Sequence, residues 1–336
     1  MASQWLVTPG GGVGSLVLQD APEQAPAPHQ VLVKMHAASL NFRDLLISDG
    51  LYPLPAASQL VPLSDGAGEV VAVGSEQTRF KVGDRVAGIF TQTWLGGEMT
   101  DADLGSALGG SVNGVLSQYR VFDATGLVHI PKTLSYAEAA TLPCAAVTAW
   151  NALMCDKPVR SGQTVLILGT GGVAIFALQL AKAAGARVII TSSSDEKLER
   201  AKAWGADETI NYRNVAEWGQ AARELTGGEG VDMVVETGGP GTLAQSMAAT
   251  RRGGSIQMIG VLSMGEVDPL PILTSGLHVR GIMVGSREMF DAMNKAIHFA
   301  GIKPVIDQTF GYDEVPQAYE QLRAASHMGK IVIDIA

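Results

Sequence analysis

Cysteine is nearly absent: Cys144 and Cys155 are the only two in 336 residues. Two thiols cannot build a disulfide framework, so burial must hold the core, and a reducing cytoplasm is the expected compartment. No apolar run reaches the roughly 20 residues that a membrane span needs, because Gly, Lys or Gln breaks each one early. The opening MASQWLVTPGGG lacks a charged segment followed by an apolar one, so no signal peptide is expected. Basic clusters are missing as well. With 24 Lys and Arg against 33 Asp and Glu the net charge is −9, which disfavours nucleic acid and anionic membranes as partners. The six histidines, at 29, 36, 129, 278, 298 and 327, show no ligand spacing.

What the chain has is apolar mass and glycine. Hydrophobic residues make up 46% and there are 40 glycines, enough for a sizeable core in two domains, or one large one, with many tight turns. The first third reads as β-rich: HQVLVKMHAAS (29–39) alternates as a strand, and 66–90 reads as two strands around a polar turn. Between them, 40–55 is a short helical or irregular segment ending in a Pro-bearing loop. Residues 134–154 have a helical pattern that Pro143 divides, with Ser135 and Glu138 spaced as a capping box. Strands and helices then alternate. Strands at 164–168, 187–191, 208–211, 231–236, 255–260 and 278–284, with helices at 173–184, 195–204, 214–226 and 242–250, predict a parallel, doubly wound sheet. The tail from 288, two helices and two strands, has no place in six strands and is expected to return to the first domain.

Gly169-Thr170-Gly171-Gly172-Val173-Ala174 follows a strand and opens a helix, the context in which a glycine motif holds a pyrophosphate at a helix N-terminus. Where the second strand ends, an NAD site places a carboxylate on the ribose hydroxyls. Here TSSSDEK (191–197) puts Ser192 and Ser193 there. Neutral hydroxyls accept a 2′-phosphate that an acid would repel, and Lys197, one turn into the next helix, adds a positive charge. The cofactor indicated is NADP(H), with either serine as the contact. Asp195 and Glu196 suit the start of the following helix.

Together LNFRDLLISDGLYP, GAGEVVAVG, KVGDRV, TLPCAAVTAW, the glycine segment, INYR and HMGKIVI resemble the medium-chain dehydrogenase/reductase superfamily, its zinc-free quinone oxidoreductase and alcohol dehydrogenase-like branch in particular. The resemblance implies an α/β protein: a GroES-like β-rich domain from 1–127 and 286–336, and a Rossmann domain at 128–285, with the cofactor in the cleft. It assigns Tyr212 to the 2′-phosphate and Thr148 to the nicotinamide side. Gly260, Val261 and Leu262, with Val284, Gly285 and Ser286, are implied to hold the nicotinamide half, and Gly329 and Lys330 to close over the cofactor. It also implies a homodimer paired through an edge strand, for which HVRGIMVG (278–285) is the candidate.

The zinc-dependent branch holds its metal with a cysteine, a histidine and a second cysteine. Those places fall on Asn41, on Ser64 or Asp65, and on Cys144. One thiol without an imidazole is not a zinc site, so no metal is expected. Losing the metal removes a Lewis acid, which favours hydride transfer to a quinone or α,β-unsaturated carbonyl, where charge spreads onto an oxygen that neutral donors can stabilise. Asn41, Tyr52 and Asp44 are the catalytic candidates: Asn41 for the nicotinamide or substrate oxygen, Tyr52 as proton donor, Asp44 orienting the loop. Leu46, Tyr52, Trp94 and residues near Phe290 are expected to wall the pocket. The alternatives are a zinc-independent NADP(H) alcohol dehydrogenase or ketone reductase, and a non-enzymatic NADPH-binding protein.

Overall fold

The computed structural model describes residues 2–52, 58–263 and 265–336. The Pro-bearing end of the 40–55 segment lies outside them. The chain divides into two compact units, Met1–Val147 with Val284–Ala336, and Thr148–Met283. Along the chain the divides fall at 147/148 and 283/284, where the sequence suggested 127/128 and 285/286. The intervening segment carries the Tyr136–Ala140 helix, which packs on the strand Gln30–Ser39 of the first unit.

The second unit is built on six parallel strands: Thr164–Leu168, Arg187–Ser192, Glu208–Asn211, Val231–Glu236, Thr250–Met258 and His278–Gly281. Counted along the chain, they lie in the order 3-2-1-4-5-6, the doubly wound Rossmann arrangement. The strands are runs such as TVLIL and RVIITS, buried almost throughout, because helices cover both faces of a parallel sheet. His278–Gly281 ends the sheet and stops three residues short of the expected strand. The helix expected at 214–226 is confined to Trp218–Glu224. Asn211 holds the chain before it in a turn, its carbonyl accepting from the amides of Asn214 and Val215.

In the first unit the strand Gln30–Ser39 is central. It pairs antiparallel with Asp65–Val73, Tyr119–Asp123 and Lys330–Asp334, and two register shifts against Asp65–Val73 bend it. The tail returns here: Ile306–Gly311 and Lys330–Asp334 are parallel neighbours at one end of the sheet. The 134–154 segment divides as its proline requires. Helix Tyr136–Ala140, capped by the Ser135–Glu138 box, leads into a wide π-turn, Leu142–Ala146, and then helix Val147–Met154. Pro143 has no N–H to give an α-helical ladder, and such turns free neighbouring backbone groups.

Candidate active site

In the second unit the cofactor-type residues gather where the parallel strands end. Gly169 has φ +75°, a conformation costly for any residue with a Cβ. Its amide donates to Thr191 Oγ1 at 3.3 Å. Gly171 is the N-cap of helix Gly172–Ala183 and has no side chain with which to cap it. The first amides of a twelve-residue helix, Gly172 and Val173 among them, are therefore left for an anion. Ala174 is buried against the sheet. At the neighbouring fourth strand, Thr237 Oγ1 donates to the Leu168 carbonyl at 2.6 Å, tying the loops on either side of the point where strand order reverses, the usual ligand position in such sheets. Glu236, fully buried, accepts from the amides of Gly238 and Gly239 at 2.7 and 3.1 Å, from Thr242 Oγ1 at 2.7 Å and from Ser246. It anchors this turn. Gly260 packs so tightly on it that a Cβ would lie 2.1 Å from Thr237 backbone atoms, while Val261 and Leu262 are exposed.

The three serines have separate duties. Ser194 caps helix Asp195–Ala203 by accepting the Lys197 amide. Buried Ser192 ends the strand, its hydroxyl accepting from the Ser194 amide and its carbonyl from the Tyr212 amide. Half-buried Ser193 stands between them. Asp195 is held at 2.6 Å by Asn211 Nδ2, and exposed Tyr212 brings Arg213, which the sequence reading passed over, to the same strand end. Thr148 is buried in the helix Val147–Met154.

In the first unit the short helix Phe42–Ser48 begins at Asn41, with Asp44 in a capping box that accepts the Asn41 amide at 2.8 Å. That bears on Asp44's orienting role. Burial pushes its carboxyl up to about 6, with Arg43 pulling the other way. Arg43 itself is buried, donates to the Leu108 carbonyl at 2.7 Å, and lies over the rings of Phe90 and Tyr52 at 4.4 and 5.0 Å. The face of Tyr52 is thus a packing surface for Arg43.

Lys330, matched to a segment closing over the cofactor, is 3% exposed. Its ammonium donates to the Leu40 carbonyl at 2.5 Å and to Asn41 Oδ1 at 2.6 Å, and lies 3.9 Å from Asp65 Oδ2. Asp65 is fully buried, accepts from Ser64 Oγ at 2.6 Å, and takes the Cys144 amide at 3.1 Å. The π-turn presents that amide to a carboxylate. Burial, with Asp65 adding to it, pushes the Cys144 thiol up to about 12. Leu63, at φ +66° and fully buried, sets the backbone just before Ser64; its carbonyl accepts the Val115 amide at 2.9 Å. Asn41 Nδ2 is buried with no partner among the described residues, a state that ordinarily costs about 1–3 kcal/mol.

The remaining implied residues have structural duties. Ser286 caps helix Arg287–Ala300. Gly285 leaves no room for a Cβ beside Val147, and Gly329, at φ +79°, none beside the Val305 carbonyl. Val284 holds φ +46°, a strained value for a β-branched residue. Trp94, expected in a pocket wall, is 6% exposed, and Phe290, near which further wall residues are expected, is 1% exposed.

Comparison with known proteins agrees with this geometry. The alcohol dehydrogenase GroES-like domain model matches residues 27–132 and the zinc-binding dehydrogenase model 172–298. A zinc-type alcohol dehydrogenase-like protein of Schizosaccharomyces pombe is 49% identical over 92% of this chain and 91% of its own. The chain belongs to the medium-chain dehydrogenase/reductase superfamily. A quinone oxidoreductase of Pseudomonas aeruginosa is 34% identical, covering 96% of each chain. The solved structure of a putative alcohol dehydrogenase from Sinorhizobium meliloti is 42% identical over the whole of both chains, with a TM-score of 0.91. Structures of an NAD-dependent alcohol dehydrogenase and of a mycobacterial protein complexed with NADPH match with TM-scores of 0.90 and 0.82, at 31% and 26% identity over the whole of both chains. As a medium-chain dehydrogenase/reductase with the glycine turn in place, the chain is an oxidoreductase using a nicotinamide cofactor. No helix among the described residues is long and apolar enough to cross a membrane.

Some medium-chain dehydrogenase/reductases carry a catalytic zinc, and the positions matching its ligands do converge here. Their chemistry does not suit a dication. Asn41 offers an amide whose oxygen is already taken, both Asp65 oxygens are engaged, and an ammonium sits among them.

Proposed function

We propose that this medium-chain dehydrogenase/reductase is a zinc-independent, NADPH-dependent reductase that transfers hydride to a quinone or an α,β-unsaturated carbonyl. The observation that carries the reading is the Lys330 ammonium at Asn41 and Asp65, where a zinc-dependent relative needs open metal ligands. Without a Lewis acid a simple alcohol is a difficult substrate, whereas a conjugated acceptor spreads incoming charge onto an oxygen that hydrogen-bond donors stabilise. The bound dinucleotide supplies the hydride. The protein positions the acceptor, excludes water, and presents the Asn41 amide.

Preference for the 2′-phosphate rests on Ser192 and Ser193 standing where an NAD site has an acid, with Lys197, Tyr212 and Arg213 at the same strand ends. Ser193→Asp is expected to raise the NADPH KM at least tenfold and to leave the NADH KM within threefold; an unchanged NADPH KM refutes this preference. Initial rates with NADPH and NADH against quinones, enones, saturated ketones and alcohols, with and without chelator, test the reaction. NADPH oxidation by a quinone or enone, unaffected by chelator, is expected. Saturated-ketone reduction abolished by chelator would overturn the metal-free mechanism.

A further inference from the structure

We infer that Lys330 is a positioning residue: held by buried Asp65, its ammonium locks the Asn41 carboxamide with oxygen inward, so that Asn41 meets its ligand as a hydrogen-bond donor to a carbonyl oxygen. An ammonium has only donors, so it selects the oxygen of an amide and never the nitrogen. The 2.6 Å contact from Lys330 Nζ to Asn41 Oδ1, with the Asp44 amide of the capping box directed at the same side chain, therefore sets which way the amide faces. The ammonium also contacts the Leu40 carbonyl at 2.5 Å and lies 3.9 Å from Asp65 Oδ2. Asp65 is itself fixed by Ser64 Oγ and the Cys144 amide. What remains is Asn41 Nδ2, with two N–H donors and no partner among the described residues. A group satisfied on one side and orphaned on the other is prepared for something that arrives. Because the amide oxygen bonds to a cation, polarisation through the amide strengthens its N–H groups as donors.

The inference rests on the reductase reading only for the origin of the oxygen, which belongs either to the conjugated acceptor or to the nicotinamide carboxamide. Three variants address it: Asn41→Asp, Asn41→Ala and Lys330→Met, with the Asn41→Ala/Lys330→Met double mutant. Because Lys330→Met leaves Asp65 buried and unpaired, Lys330→Met/Asp65→Asn serves as its charge-balanced form should the single variant unfold. Asn41→Asp keeps an oxygen for Lys330 and removes the donors, so it is expected to lose activity at least thirtyfold while remaining folded. Lys330→Met is expected to lose five- to tenfold, and the double mutant to be no worse than Asn41→Ala, because Lys330 acts through Asn41. Loss in kcat with a naphthoquinone or 2-enone assigns the acceptor oxygen; loss in NADPH affinity, read by fluorescence quenching, assigns the carboxamide. Losses that multiply in the double mutant, or Asn41→Asp within threefold of wild type, overturn the proposal.

A readout independent of turnover separates this from the reductase reading. In protein labelled with ¹⁵N-asparagine, the side-chain amide pair missing from Asn41→Ala is assigned to Asn41. It is expected to shift in Lys330→Met and in the charge-balanced form, and an unshifted pair refutes the lock even if the enzyme reduces quinones. An enzyme that reduces none of the acceptors, with the amide pair shifting as expected, refutes the reductase reading alone.

Discussion

Gly171→Ala separates what the glycine turn does for the ligand from what it does for the fold. Gly171 has φ −76° and ψ −172°, extended backbone that alanine adopts freely. A Cβ built there meets nothing within 4 Å, so the methyl displaces no protein atom. Exchanging glycine for alanine at an N-cap changes stability by a few tenths of a kcal/mol, and Tm is expected to move by about 1 °C. The dinucleotide is affected differently. Its pyrophosphate has to come within hydrogen-bond distance of the uncapped amides that start helix Gly172–Ala183, and the methyl stands in that approach. Losing one hydrogen bond to a charged group costs about 1.5–3 kcal/mol, which weakens Kd between roughly tenfold and 150-fold. Fluorescence titration of NADPH, beside a thermal melt without ligand, measures both quantities. An NADPH Kd within twofold of wild type would refute the assignment of the turn to the pyrophosphate. Gly169→Ala is the contrasting control: at φ +75° a Cβ costs about 1–2 kcal/mol in the fold itself, so stability falls before any ligand is added.

Three further outcomes are expected. Burial holds the Asp44 carboxyl up at about 6 against the usual 3.8, so its unfolded form ionises first and wild-type stability falls between about pH 4 and pH 6. Asp44→Asn removes that slope, and its Tm relative to wild type is expected to rise across the window, by up to about 3 kcal/mol equivalent; a pH-independent difference contradicts it. The Cys144 thiol, pushed up to about 12, is thiolate in roughly one molecule per ten thousand at pH 8, so iodoacetamide should leave it unmodified in native protein by mass spectrometry, and rapid alkylation would contradict so weakly acidic a thiol. Glu236→Ala strands the amides of Gly238 and Gly239 and the hydroxyls of Thr242 and Ser246, and urea unfolding should show a loss of at least about 3 kcal/mol; a loss under about 1 kcal/mol would mean that these donors find other acceptors.

The nucleotide half was legible in the chain because its signals are local. The strand Val231–Glu236 and the start of helix Asp195–Ala203 fall where apolar runs and cap residues put them, and the glycine turn declares itself through spacing alone. The missing acid at Ser192 is equally a matter of one position in a strand. The polar cluster of the first unit was not legible, because its contacts join residues far apart in sequence. Lys330 is 289 residues from Asn41, and the Cys144 amide 79 from Asp65. Lysine is so seldom buried that nothing in HMGKIVI distinguishes a buried ammonium from a surface one. Local periodicity and spacing therefore determined the doubly wound sheet and the place of its glycine turn. Only tertiary packing, which decides which charges are buried together and which amide atom faces a cation, brought Asn41, Asp65 and Lys330 into contact.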